Sequence, residues 1–162
     1  HSNYVIILIL SAIECLKHIV ILSKKEYTIY SERNEQIMLR ILVVDDSLFM
    51  RKKLKGIIEK AGHVVVDEAT NGNDALYKYI KSQPNLVIMD ITMPEVDGLE
   101  GLKKIMSVDN NARVIMCSAI GQEPFIKEAI DNGALDYIVK PFRKEQVLYT
   151  INRVLEMEKY KQ

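Results

Sequence analysis

Between residues 39 and 160, short apolar runs alternate with stretches in which apolar residues recur every three or four positions. The runs are Leu39–Val44, Val64–Val66 (beginning a strand that ends near Ala69), Leu86–Met89, Val114–Cys117 and Tyr137–Val139. Runs this short and this apolar fit strands covered on both faces, which requires a parallel sheet between helix layers. The intervening helical spacing carries Leu48, Leu54, Ile57 and Ile58, then Ala75, Leu76 and Ile80, then Leu99–Met106. It continues in Phe125, Ile126, Ala129 and Ile130, and ends in Val147, Ile151, Val154 and Leu155. Ala61-Gly62 and Asn132-Gly133 stop two of these helices, Asn71-Gly72 turns into another, and Pro84 and Thr92–Gly98 mark loops. Five strand–helix units in series predict an α/β fold: a doubly wound five-stranded parallel sheet with helices on both faces.

In such folds ligands bind beyond the carboxyl ends of the strands. Asp45, Asp46, Asp90, Ser118 and Lys140 all fall at such ends. Asp45, Asp46 and Asp90 are hard oxygen donors suited to magnesium, and their mutual repulsion in one cleft favours a bound cation. Taken singly, an Asp-Asp pair fits a helix cap equally well, a serine a turn, and a lysine the surface. The joint register is what points to chemistry. A carboxylate at Asp90 is a competent nucleophile for phosphoryl transfer, with Lys140 supplying charge and Ser118 a hydrogen bond to a phosphoryl oxygen. Lys140-Pro141 is also a candidate cis peptide that would aim the lysine inward.

Composition narrows the class. Charges balance, with 22 Lys and Arg against 22 Asp and Glu, so no basic face for nucleic acid is implied. Cys15 and Cys117 lack metal or redox spacing, which suits a reducing cytoplasm, and His1, His18 and His63 are scattered. Residues 1–37 stand apart. Tyr4–Leu10 and Ile19–Leu22 are apolar, but Glu14, Lys17 and His18 separate them, and a spanning helix needs ~20 mostly apolar residues. Membrane association is not expected, although a tether remains an alternative. Met38 stands directly before the first run, and Glu32-Arg33 fit the purine-rich codons of a bacterial ribosome-binding site. Residues 1–37 are therefore read as an extension, a leader upstream of a start at Met38; an added packed helix is the other reading.

The segments Ile41-Leu-Val-Val-Asp-Asp46, Met89-Asp-Ile-Thr-Met-Pro94, Cys117-Ser-Ala119 and Tyr137-Ile-Val-Lys-Pro-Phe142 together resemble the receiver domain of two-component response regulators. The resemblance covers about residues 38–160, so 38–162 is read as a receiver domain, and Asp45–Arg51 and Gly133–Tyr137 are similar to single-domain chemotaxis response regulators of the CheY type. It implies a flavodoxin-like strand order, 2-1-3-4-5. It further implies that Asp90 accepts a phosphoryl group from a sensor histidine kinase and that Ser118 and Tyr137 form a coupled switch pair. Asp46, Asp90 and the Thr92 backbone carbonyl would hold magnesium directly, with Asp45 acting through water. The implied target is the flagellar motor switch protein, with an aspartyl-phosphate phosphatase as a further partner. A phosphorelay to a histidine phosphotransfer protein is the alternative. An enzyme acting on external substrates is not expected, because Thr92 stands where a leaving-group acid two residues beyond Asp90 would be needed.

Thr92 and Ile120 depart from the amide or acidic groups many relatives place there, flanking the path of a water that attacks the acyl phosphate. An apolar Ile120 cannot orient that water, so slow self-dephosphorylation is expected. Ile120→Glu should shorten the phosphoryl half-life, followed by loss of label from the purified phosphoprotein; an unchanged half-life would refute this role.

Overall fold

The computed structural model describes residues 38–159. The expectations for residues 1–37, and the thiol of Cys15, lie outside them. Five strands, β1 (Arg40–Val44), β2 (Val64–Ala69), β3 (Leu86–Asp90), β4 (Val114–Ala119) and β5 (Asp136–Lys140), alternate with five helices. The helices are α1 (Leu48–Lys60), α2 (Gly72–Ser82), α3 (Gly98–Val108), α4 (Glu123–Asp131) and α5 (Lys144–Lys159). The sheet is wholly parallel in the order β2-β1-β3-β4-β5. The predicted doubly wound, flavodoxin-like fold is the one observed.

Alternation along the strands explains the two layers. Leu42, Val44, Val87, Met89, Val114 and Met116 pack against Ala75, Leu99, Leu102, Ile105 and Ala129 of α2, α3 and α4. Ile41, Val43, Ile88, Ile115, Cys117 and Ile138 pack against Leu54, Ile58, Val147, Ile151 and Val154 of α1 and α5. All five residues of β3 are buried, as expected of the central strand. The edge strand β2 is only partly covered, which is why it tolerates Asp67 and Glu68.

Local detail departs from the pattern at several points. Asp90 is the last residue of β3 rather than the first of the loop, and β4 and β5 run on to Ala119 and Lys140. Ladder bonds extend past the apolar run because Ile91 N–H still donates to the Cys117 carbonyl at 2.9 Å. Leu48, Ile80, Phe125 and Ile130 belong to helical stripes yet are exposed. Leu48 opens α1, and in α4 only Ala129 is buried, so the sheet is too narrow to cover every stripe fully.

Two glycines set how closely α2 and α3 meet. A Cβ on Gly101 would lie 2.8 Å from the Gly72 Cα and 3.1 Å from Met89 Sδ, whereas one on Gly56 of α1 would meet nothing within 4 Å. Gly101→Ala should therefore destabilise by about 1–3 kcal/mol through overpacking. Gly56→Ala should stabilise by about 0.5–1 kcal/mol by relieving the entropic penalty of a mid-helix glycine. Urea denaturation of the two variants checks the opposite signs.

Candidate functional site

The carboxyl ends of β1, β3, β4 and β5 gather the polar residues named above. Ser47 caps α1, accepting from Met50 N–H, and Asp45 Oδ1 accepts from Ser47 N–H at 2.8 Å. This local turn fixes the Asp45-Asp46 corner. Asp45, Asp46 and Asp90 each place a carboxylate oxygen within 4.8 Å of the others. Asp45 and Asp90 are buried, whereas Asp46 is open to solvent. A donor set of three close carboxylates fits a hard divalent cation.

Lys140 lies between the two buried acids, with Nζ 2.7 Å from Asp45 Oδ2 and 3.0 Å from Asp90 Oδ2. The peptide joining it to Pro141 is cis. Burial opposes the Lys140 ammonium, but its hydrogen bonds to Asp45 and Asp90 outweigh that effect and raise its pKa. Burial is also the largest influence on Asp90, pushing its carboxyl up. Lys140 and the Thr92 N–H pull it back, while the Asp45 charge adds to the rise. Ser118 is fully buried, and its Oγ has no hydrogen-bond partner. A buried hydroxyl is seldom left unpaired, so an oxygen acceptor brought to Asp90 would meet a ready donor. Tyr137, in β5 beside Met116, is 43% exposed, and Ile120 is 78% exposed. Cys117, buried under the site, has its thiol pushed up to about 12 by desolvation, and such a thiol is inert.

Several supporting residues were not anticipated. Arg51 Nη1 donates to the carbonyls of Asp45 at 2.8 Å and Asp46 at 3.3 Å, while its Nε donates to Glu68 at 3.0 Å. It thus fastens the acidic corner to β2. Lys53 Nζ donates to the Phe142 carbonyl at 3.0 Å and lies 4.7 Å from that ring's centre, tying α1 to the loop after Lys140. Gly98 N–H donates to the Ile91 carbonyl at 2.8 Å, and a Cβ there would lie 1.9 Å from the Asp90 carbonyl oxygen. Only glycine allows α3 to start so close behind Asp90. Gln122 bridges Thr92 and Ala119. The basic residue near two acids was a faint signal for Arg51, but the other three contacts leave no local pattern.

The family described as response regulator receiver domain matches residues 41–152. The chain is 52% identical over 115 residues to chemotaxis protein CheY of Thermotoga maritima, across 71% of this chain and 96% of that protein. It is 53% identical over 116 residues to chemotaxis protein CheY of Bacillus subtilis, across 72% of this chain and 97% of that one. Among solved structures, the CheX-CheY-BeF3-Mg complex from Borrelia burgdorferi aligns with a TM-score of 0.69 at 41% identity. That match covers 72% of this chain and 88% of the other.

A raised carboxyl pKa in the folded state means that Asp90 ionises at greater cost there than in the unfolded chain. Its contribution to stability is therefore full at low pH and is lost as pH rises through the folded pKa. Asp90→Asn is expected to raise the thermal midpoint of the metal-free protein at neutral pH. Magnesium should stabilise the wild type by about 2.7 kcal/mol at a hundredfold excess over its Kd, and the variant by less. Thermal denaturation with and without the ion checks both, and a wild type indifferent to magnesium would exclude a metal site here.

Proposed function

Because the chain belongs to the response regulator receiver family and is CheY-like within it, we propose that Asp90 takes a phosphoryl group from a sensor histidine kinase and that the flagellar motor switch reads the result. Receiver domains are signalling switches of two-component systems rather than classical enzymes. The observation that carries the assignment is the buried Asp90 carboxylate, held by Lys140 and the Thr92 N–H within reach of two further carboxylates.

An Asp90 carboxylate oxygen attacks phosphorus in line with the departing phosphohistidine nitrogen. The O–P bond forms as the P–N bond breaks, and the imidazole leaves with the electron pair. Asp46, Asp90 and the Thr92 carbonyl would hold magnesium directly in this reading. Asp45, whose two oxygens already accept from Ser47 and Lys140, would act through water. Magnesium, when bound, offsets the charge of the carboxylates and of the incoming phosphoryl oxygens. Lys140, kept protonated by its raised pKa, donates to one phosphoryl oxygen, and the unpaired Ser118 hydroxyl donates to another. Ser118 moves toward the acyl phosphate, and the exposed Tyr137 ring turns into the space it leaves. The face formed by α4, β5 and α5 then presents a different surface to its target.

Self-dephosphorylation is modulated at Thr92 and Ile120, and an aspartyl-phosphate phosphatase is a further partner in this reading. The Borrelia relative is seen in a CheX-CheY complex. Among the described residues no helix is long and apolar enough to cross a membrane, and a cytoplasmic location is part of the proposal. The chemotaxis names of the relatives favour the motor over a phosphorelay.

The test is binding to the N-terminal peptide of the flagellar switch protein, with magnesium, in the presence and absence of beryllium fluoride. Affinity should rise at least about tenfold with the mimic, the ~1.4 kcal/mol of a typical two-state coupling. Asp90→Asn should remove the rise. Equal affinity in both states would redirect the output to another partner.

A further inference from the structure

We propose that Gln122 is a positioning residue that ties the loop after β3 to the loop after β4 and so favours the unphosphorylated arrangement, an inference that rests on Asp90 being the phosphoacceptor. Gln122 Nε2 donates to Thr92 Oγ1 at 2.6 Å, and its Oε1 accepts from Ala119 N–H at 2.7 Å. Both partners adjoin the reacting groups. The Thr92 N–H bonds the Asp90 carboxylate, and Ala119 directly follows Ser118. One carboxamide therefore spans the two loops whose relative position changes if Ser118 moves.

The start of α4 lacks the side-chain cap that holds the starts of α1, α2 and α3. Ser47, Asn71 and Asp97 each accept an N–H from the first turn of α1, α2 and α3, but the Gln122 side chain makes no such bond to α4. It is turned away to Thr92 and Ala119 instead. Packing holds α4 weakly as well, since it buries only Ala129, whereas α3 buries Gly98, Leu99, Gly101, Leu102 and Ile105. The exposed Lys103–Glu128 ion pair between α3 and α4 adds little.

A phosphoryl group on Asp90 brings three strong acceptors beside Ser118 and Ala119. Gln122 Oε1 competes with them for the Ala119 N–H, and a shift of Ser118 toward Asp90 pulls Ala119 against a carboxamide pinned to Thr92. The bridge must break or stretch for the switch to complete. By linkage, deleting it should tighten binding of a phosphoryl mimic by the factor through which it favours the unswitched state.

Beryllium fluoride titrations of the full chain with magnesium, followed by fluorine NMR, test this. Gln122→Met keeps the side-chain length and removes both bonds, and is expected to bind the mimic about fivefold more tightly, the scale of one or two net neutral hydrogen bonds. Thr92→Val removes one anchor without touching α4 and should give a smaller gain. The double variant should match Gln122→Met, because the Thr92 hydroxyl acts through Gln122. Unchanged or weaker binding by Gln122→Met with an unaltered urea midpoint overturns the bridge, as do fully additive gains. If Gln122→Met does not fold, Thr92→Val decides alone: tighter binding supports the bridge and unchanged binding overturns it. A wild type with no bound fluoride resonance sinks the phosphoacceptor reading itself, and the bridge with it.

Discussion

The ion pairs of Lys140 with Asp45 and Asp90 are the interaction on which the site depends. Two buried carboxylates a few ångströms apart repel, and neither has enough water to screen the other. Lys140 compensates both at once from the end of β5, across β4 from Asp90, so the sheet order brings the charge where it is needed. Removing Lys140 would cost about 3–5 kcal/mol, because it would leave both buried carboxylates uncompensated. The same arrangement leaves the cluster short of positive charge when Asp46 is counted. A divalent cation would make up that deficit.

Rigidity is distributed unevenly around this cluster. On one side, Arg51 clips the Asp45-Asp46 corner to Glu68, Lys53 fastens α1 to Phe142, and Gly98 brings α3 against the Asp90 backbone. Asp136 is buried and paired with Arg153, which fixes α5 on β5. On the other side, α4 buries one residue and lacks a side-chain cap. A site that must hold charge in fixed geometry and also transmit its change needs both behaviours. In the proposed switch, this least anchored helix is the element through which a small displacement of Ser118 would spread.

Much of this was legible in the residues. The apolar runs Ile41–Val44, Leu86–Met89, Val114–Cys117 and Tyr137–Val139 fit buried strands, and buried parallel strands bring their ends together, which located Asp45, Asp46, Asp90, Ser118 and Lys140. Periodicity served less well for α4, where Phe125 and Ile130 keep the helical spacing of a buried stripe but face solvent. Spacing reports which residues share a face and not how much of that face the sheet can cover. The Gln122 bridge and the Gly98 contact with Asp90 were not legible at all. Both join residues that meet only after folding, and the amide and the glycine involved also suit ordinary loop roles.

Energetic scale explains why such small contacts matter. Moving a two-state equilibrium from one part in a hundred to ninety-nine requires about 5.5 kcal/mol of differential binding. A phosphoryl group that gains charge-assisted bonds from Lys140 and Ser118 has about 1.5–3 kcal/mol for each, less whatever the unphosphorylated state already enjoyed. Lys140 is already bonded to two carboxylates, so in the proposed reaction its net gain would be modest, whereas the Ser118 hydroxyl, with no partner, would gain in full. The energy available from these two bonds falls short of so complete a shift, so the resting state can be held only weakly. A resting state held by a buried hydrophobic interface would be beyond its reach, and one held by a few neutral hydrogen bonds around α4 is within it. In the proposed switch, the shallow packing of α4 is thus a condition for function rather than a defect of the fold.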